Sequence, residues 1–273
     1  MKEFERWEAK GFLILLFYFL ILIFVLIVEP NNLVVTENNF SLISGSDGTP
    51  LKIVFISDIH IGLQKAGWLD QVVDRVNEQE PDVILIGGDV IESDASELEK
   101  LEPLRRLHAP YGVYAVLGNH DYEWWGCAAG NATAGKVEQK LESMGIDMLR
   151  NEHEIINVRG KEFALIGLDE LWACRNDYRA AAEGTDGIPK IILTHNRNAV
   201  KPEEIDGRAV ILAGHTHCGL IRVPVLTELV LGTRPVGGRA ALDNDTDAYI
   251  TCGVTGGGIR FLTNPEISVI TIK

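Results

Sequence analysis

"FISDIHIG", residues 55–62, begins as an apolar run and ends on Asp58 and His60, two groups foreign to an apolar core. The residues before them, "LKIVFI" (51–56), read as a buried strand, and side chains two apart on a strand share a face. Asp58 and His60 therefore leave the strand end together. Such a pair can chelate a cation, and it can equally be a helix N-cap beside a surface histidine. The rest of the chain decides between these readings.

Four more apolar runs end in the same manner: "DVILIGGD" (82–89), "GVYAVLGNHD" (112–121), "KIILTHN" (190–196) and "AVILAGHTH" (209–217). Each reads as a strand that stops at glycine or at polar groups. Between the first two strands, Trp68, Leu69, Val72, Val73 and Val76 recur at helical spacing, with Pro81 at the exit. Asp94 and Glu97 form a candidate capping box for a helix through "ELEKLEPLRRL". A third helix is expected at "KVEQKLESMG", a hairpin at "EIINVRGKEFALIGL", and late strands at "AYITCGV" and "ISVITI". This order predicts a layered α/β sandwich. Open α/β sheets place ligands beyond the carboxyl ends of their strands, where all five polar blocks fall.

Taken in order, the blocks read DxH, GD, GNHD, a lone His and GHxH, and over residues 51–273 the chain resembles the calcineurin-like metallophosphoesterases. The stretches "GHTHCGLIRVP" and "TCGVTGGGIRFLTNPEISVITI" look like the membrane-associated phosphodiesterase branch related to YkuE and YaeI. The resemblance implies a four-layer α-β-β-α sandwich and two divalent metal ions. It assigns one ion to Asp58, His60, Asp89 and His217 and the other to Asp89, Asn119, His195 and His215, with Asp89 bridging. His120 is left unligated, to stabilise developing charge or protonate a leaving oxygen. Carboxylate, imidazole and amide donors suit manganese, iron or zinc. Two such ions can activate a water and clamp the entering and leaving oxygens of a phosphoryl displacement.

Other residues carry two readings each. Asp121 either orients His120 or closes the "NHD" turn, and Trp124 and Trp125 either wall the substrate or pack their loop. Arg260, in "GGGIRF", either binds substrate phosphate or makes a structural salt bridge. His108 and His153 lie outside every block and read as surface or loop histidines. The four cysteines, Cys127, Cys174, Cys218 and Cys252, show no metal-ribbon spacing and are expected to be free thiols.

Residues 11–28, "GFLILLFYFLILIFVLIV", carry neither charge nor proline. Eighteen residues in a helix reach about 27 Å, close to the bilayer's hydrocarbon thickness, and the run exceeds a signal-peptide core. The expected organisation is a short N-terminal segment (1–10), a single transmembrane helix (11–28), a linker with a candidate edge strand (29–50) and the metallophosphoesterase domain (51–273). Lys2, Arg6 and Lys10 precede the helix and no Lys or Arg follows until Lys52. That asymmetry predicts a catalytic domain outside the cytoplasmic membrane. The first ten residues are charge-balanced, so the formal charge of −14 lies downstream. So acidic a surface disfavours nucleic acid as a partner, and with it a nuclease. The expected substrate is a phosphodiester or pyrophosphate, with a lipid-linked compound favoured by the anchor. The family's UDP-2,3-diacylglucosamine pyrophosphatases offer an alternative, but their substrate would be found on the cytoplasmic side.

Overall fold

Alternation along the central strands sets the layers. The computed structural model describes residues 2–42, 50–122, 126–128, 130–223, 225–231, 235–256 and 258–273, apart from the side chains of 2–6, 8, 9 and 231. Its first sheet contains β1 (Val34–Phe40), β2 (Leu51–Ile56), β3 (Val83–Ile86), β4 (Val113–Ala115), β5 (Asp147–Met148) and β12 (Glu266–Ile272), in the order β1-β12-β2-β3-β4-β5. The second contains β6 (Glu152–Val158), β7 (Lys161–Gly167), β8 (Lys190–Leu193), β9 (Ala209–Ala213), β10 (Gly238–Ala241) and β11 (Thr246–Ile250), in the order β10-β11-β9-β8-β7-β6. Ile53, Phe55, Val83 and Leu85 face Ile191, Leu193, Val210 and Leu212 in a core between the sheets. Their neighbours Val54, Ile56, Ile84 and Ile86 point to the other side, against α2 (Trp68–Asn77) and α3 (Ala132–Glu142). Ala164, Ile166, Ile192 and Ile211 pack outward against α4 (Tyr178–Ala181) and its loops. Strands buried on both faces need apolar residues at every position, which explains the unbroken runs in the sequence. The result is the expected four-layer arrangement.

β2, β3 and β4 run parallel in one sheet and β7, β8 and β9 in the other. The loops after β2, β3, β4, β8 and β9 carry all five polar blocks. At the N-terminus, α1 (Lys2–Ile23) continues through a π-helical turn (Phe24–Val28) and a 3-10 turn (Glu29–Asn31). The helix Lys10–Asn31 contains an 18-residue window with a mean hydropathy of 3.3, and it is long and apolar enough to cross a membrane. β1 then pairs in parallel with β12 at the edge of the first sheet.

Two sequence expectations are corrected. Ala95–Arg106 is a run of 3-10 turns rather than an α-helix, in keeping with Pro103 inside it, which lacks a donor and crowds the preceding turn. Asp94 does cap it, accepting from Ser96 N, but Glu97 closes no capping box and instead accepts from Glu92 N. The cysteines are also not free: Cys127 pairs with Cys174 and Cys218 with Cys252. The partners are 47 and 34 residues apart, so only the folded loops bring them together.

Full-length protein denatured without reductant is expected to show no thiol reactive towards Ellman's reagent, and four after reduction. Two or more reactive thiols before reduction would contradict the pairing.

Candidate metal centre

The loops that carry the site turn through an uncommon backbone conformation. Asp58, His60, Asp89, His215 and His217 all have positive φ, between 45° and 70°. Left-handed conformations are costly for residues with side chains, and they persist where the surrounding structure holds them for function. Glycines admit the close approaches these turns require. An added Cβ at Gly118 would overlap Asp89 Oδ1, and one at Gly214 would overlap Ser57 Oγ and Asp58 Oδ2.

The turns gather the seven expected ligands into two groups. Ligand atoms of Asp58, His60 and His217 lie within 4.8 Å of one another, as do those of Asp89, His195 and His215. Asp89 Oδ2 reaches towards both groups, 3.0 Å from His195 Nε2 and 3.6 Å from His60 Nε2. In the second group His195 Nε2 is also 3.1 Å from Asn119 Oδ1 and 3.2 Å from His215 Nδ1. In the first, His217 Nε2 is 3.3 Å from Asp58 Oδ1 and 3.2 Å from His60 Nε2.

A hydrogen bond on the far side of the His195 ring determines which of its nitrogens faces inward with a lone pair. His195 Nδ1 donates to Gly87 O at 2.8 Å, while His60 Nδ1 lies 2.7 Å from Glu92 Oε2 as an ion-pair contact without hydrogen-bond alignment. With its proton held there, His195 Nε2 presents a lone pair to neighbours that are themselves acceptors. His217 Nδ1 is buried and has no hydrogen-bond partner among the described residues. So many converging lone pairs require positive charge between them, which a pair of divalent ions supplies. The donor set fits two such ions, while metal-free rings and carboxylates share protons instead. Burial opposes the charge on His195, yet Asp89 beside it raises its pKa well above the ordinary value. The Asp89 carboxyl is held well below the usual range by His195 and then His60, although burial alone would raise it. Burial pushes His215 and His217 down to about 4.

Asp121 closes the "NHD" turn, as one of its two sequence readings held, by accepting from Gly118 N, and it also does more. It does not orient the His120 ring; its buried carboxylate accepts from Asp89 N, Val90 N, Ile91 N and Gly118 N at 2.8–3.2 Å. It thereby ties the Asp89 loop to the Asn119 loop. His120 Nδ1 instead lies 2.6 Å from Glu92 O, and its backbone N–H donates to Asp89 Oδ1. Glu92, which belongs to none of the five polar blocks, thus contacts both His60 and His120.

Beside the two groups lies a cleft of about 440 Å³, lined in part by His120, Trp172, Arg197, Asn198, His215 and His217. The Trp172 ring, 44% exposed, stands edge-on to His215 with centroids 4.4 Å apart. Arg197 is the one arginine or lysine among the described lining residues. It was missed although it stands two residues after His195. Arg260, for which a phosphate contact was one of two sequence readings, does not line this cleft. It is 0% exposed, its guanidinium donates to Thr255 O and Cys252 O, and burial pulls its pKa down to about 10. His108 is exposed, and His153 Nδ1 donates to Ala181 O away from the site. Trp124 and Trp125 lie outside the described residues. A larger hollow of about 1190 Å³ near α4 contains none of the motif residues.

A family model described as calcineurin-like phosphoesterase matches residues 51–219. Phosphodiesterase YaeI of Escherichia coli (strain K12) is 30% identical over 236 residues, covering 83% of each chain. The uncharacterized metallophosphoesterase YkuE of Bacillus subtilis (strain 168) is 30% identical over 264 residues, 90% of this chain and 87% of that one. A transmembrane protein with metallophosphoesterase domain from Danio rerio is 33% identical over 82% of this chain and 53% of its own length.

Asp121→Asn keeps the size of the side chain but turns an N–H group towards backbone donors. Leaving buried donors unsatisfied costs about 1–3 kcal/mol each, so a loss of roughly 2–4 kcal/mol is expected by denaturant unfolding, together with a fall in activity. An unchanged unfolding midpoint would show that this carboxylate does not hold the loops.

Proposed function

We propose, on the premise that this chain belongs to the calcineurin-like phosphoesterase family, that it is a membrane-anchored, dinuclear-metal phosphohydrolase cleaving a phosphodiester or pyrophosphate bond in a lipid-linked substrate. As a member of that family the protein is a metal-dependent hydrolase of phosphoester bonds. The observation that carries the dinuclear reading is the position of Asp89 Oδ2 between two groups of inward-facing donors. Asp58, His60, Asp89 and His217 would hold one ion, and Asp89, Asn119, His195 and His215 the other. When bound, such ions supply Lewis acidity and an activated water, and manganese, iron and zinc all suit these donors.

The remaining work falls to the chain. Gly87 O fixes the protonated nitrogen of His195, so that its other nitrogen faces inward, and Glu92 places a carboxylate beside the outer nitrogen of His60. With Nδ1 donating to Glu92 O, His120 would act through Nε2 in the imidazolium form, giving that proton to the leaving oxygen or stabilising its charge. Arg197, at the cleft wall, is suited to hold a substrate phosphate oxygen. It takes the part that one of the two sequence readings gave to Arg260.

The apolar N-terminal helix supports anchoring, and an anchor confines the enzyme to the surface where lipid-linked phosphates reside. Lys2, Arg6 and Lys10 before that helix favour an extracytoplasmic catalytic domain. The two disulfides support the same side, because they persist in oxidising compartments. This placement favours a lipid phosphodiester at the outer face over a UDP-linked lipid.

With bis-p-nitrophenyl phosphate, wild-type activity is expected to vanish on chelation and to return with manganese. His120→Ala should keep its metal and lose kcat by about 100-fold or more, with a smaller loss for leaving groups of lower pKa. Equal losses for p-nitrophenol and alkyl leaving groups would exclude the acid role. Arg197→Ala should raise KM more than it lowers kcat, and an unchanged KM would remove it from substrate binding. Alkaline phosphatase fused after Lys273 is expected to be active and a cytoplasm-only reporter silent; the opposite pattern would reverse the topology.

A further inference from the structure

Among the described residues outside the N-terminal helix, most large apolar side chains left in solvent fall in two stretches, one of 220–223 and 225–230 and the other of 259–262. Leu229 and Val230, in α5 (Leu226–Leu231), are each 74% exposed, and Leu226, Ile259 and Leu262 are about half exposed or more. Contiguous exposed apolar surface on this scale marks a contact with something apolar. The two stretches are stitched into one surface: Arg222 N donates to Phe261 O and Phe261 N to Leu220 O, both at 2.8 Å. Thr263 Oγ1 adds a hydrogen bond to the same Leu220 carbonyl.

The location of this surface identifies what covers it. The second stretch is bonded directly to the end of the apolar N-terminal helix. Arg260 N donates to Val25 O at 3.2 Å, Thr263 N to Glu29 Oε1 at 2.7 Å and Asn32 Nδ2 to Asn264 Oδ1 at 3.0 Å. Glu29 is only 3% exposed and Thr263 2%, so their bond is closed to solvent. Strand direction leads to the same end of the molecule. β12 runs antiparallel to β2 and β1 parallel to β12, which puts Val34, at the start of β1, beside the end of β2 that leads to Asp58. The helix therefore leaves the membrane on the face that carries the metal centre. Arg222 and Lys65 are exposed near this join, where cations meet lipid headgroups.

We propose that the apolar surface formed by residues 220–223, 225–230 and 259–262 lies in the lipid interface beside the N-terminal helix, so that the bilayer holds the mouth of the metal centre at headgroup depth. The inference rests on the anchored reading above and specifies how the substrate is met. Leu220 is three residues from His217, and Cys218 between them is bonded to Cys252. The lipid-facing surface and the site thus share one covalently braced loop. A lipid-linked phosphodiester would reach the cleft by lateral diffusion, with its acyl chains still in the bilayer.

The test uses full-length protein in vesicles of phosphatidylcholine and phosphatidylglycerol, with or without bromine on the acyl chains. Leu229→Trp is expected to add emission that is shifted to the blue in plain vesicles and quenched in brominated ones. Glu162→Trp, at the opposite end of the second sheet, should add emission that bromine leaves unchanged. Activity on bis-p-nitrophenyl phosphate confirms that both variants are folded. If the protein floats with the vesicles but the Leu229→Trp emission is not quenched, the surface faces water, a second copy or a protein partner, and the inference falls while the anchor stands. Protein that fails to float with vesicles overturns the anchored reading and this inference together.

Discussion

Asp89 is the residue on which the arrangement depends. Its Oδ2 stands between two sets of imidazole and carboxylate donors, while its Oδ1 accepts from the backbone of His120. Its own backbone sits at positive φ, and Asp121 holds the three consecutive N–H groups from Asp89 to Ile91. A buried carboxylate so placed is stable only with positive charge beside it, from protons on the rings or from metal ions. The sandwich serves this requirement by ending β2, β3, β4, β8 and β9 around a common point.

The layers and the convergence of the motif residues were both legible in the sequence, for different reasons. Strands buried on two faces must be apolar throughout, so "LKIVFI", "DVILI" and "AVILA" stand out without any alignment. Asp58, His60, Asp89, Asn119, His195, His215 and His217 stand out because polar groups interrupt such runs at their ends. Positive φ at five of them was hidden, since neither Asp nor His signals a left-handed turn as glycine does. Glu92 and Arg197 were hidden differently: their importance depends on where a loop folds back rather than on spacing. The cysteine pairs and the burial of Arg260 likewise depend on contacts between distant loops. The 3-10 run at Ala95–Arg106 was a local misreading, because Pro103 outweighs the helical pattern around it.

The same loops connect the site to the N-terminal helix. The segment around Arg260 contacts Val25 and Glu29 on one side, and on the other Thr255 Oγ1 donates to Asp58 O. Cys252 bonds this segment to Cys218, next to His217. Asp58 and His217 are therefore positioned by a strap that also receives the end of the apolar helix. The end of the apolar helix and the site are thus joined through one set of contacts, so the fold sets the distance between them.

The central claim is that one carboxylate serves two metal positions, and metal content measures it directly. Asp89→Asn, purified alongside wild type and reconstituted with manganese, should lose both ions as read by elemental analysis, where wild type retains about two per chain. A variant that still held about two ions per chain would contradict the shared role of Asp89 and the dinuclear account built on it.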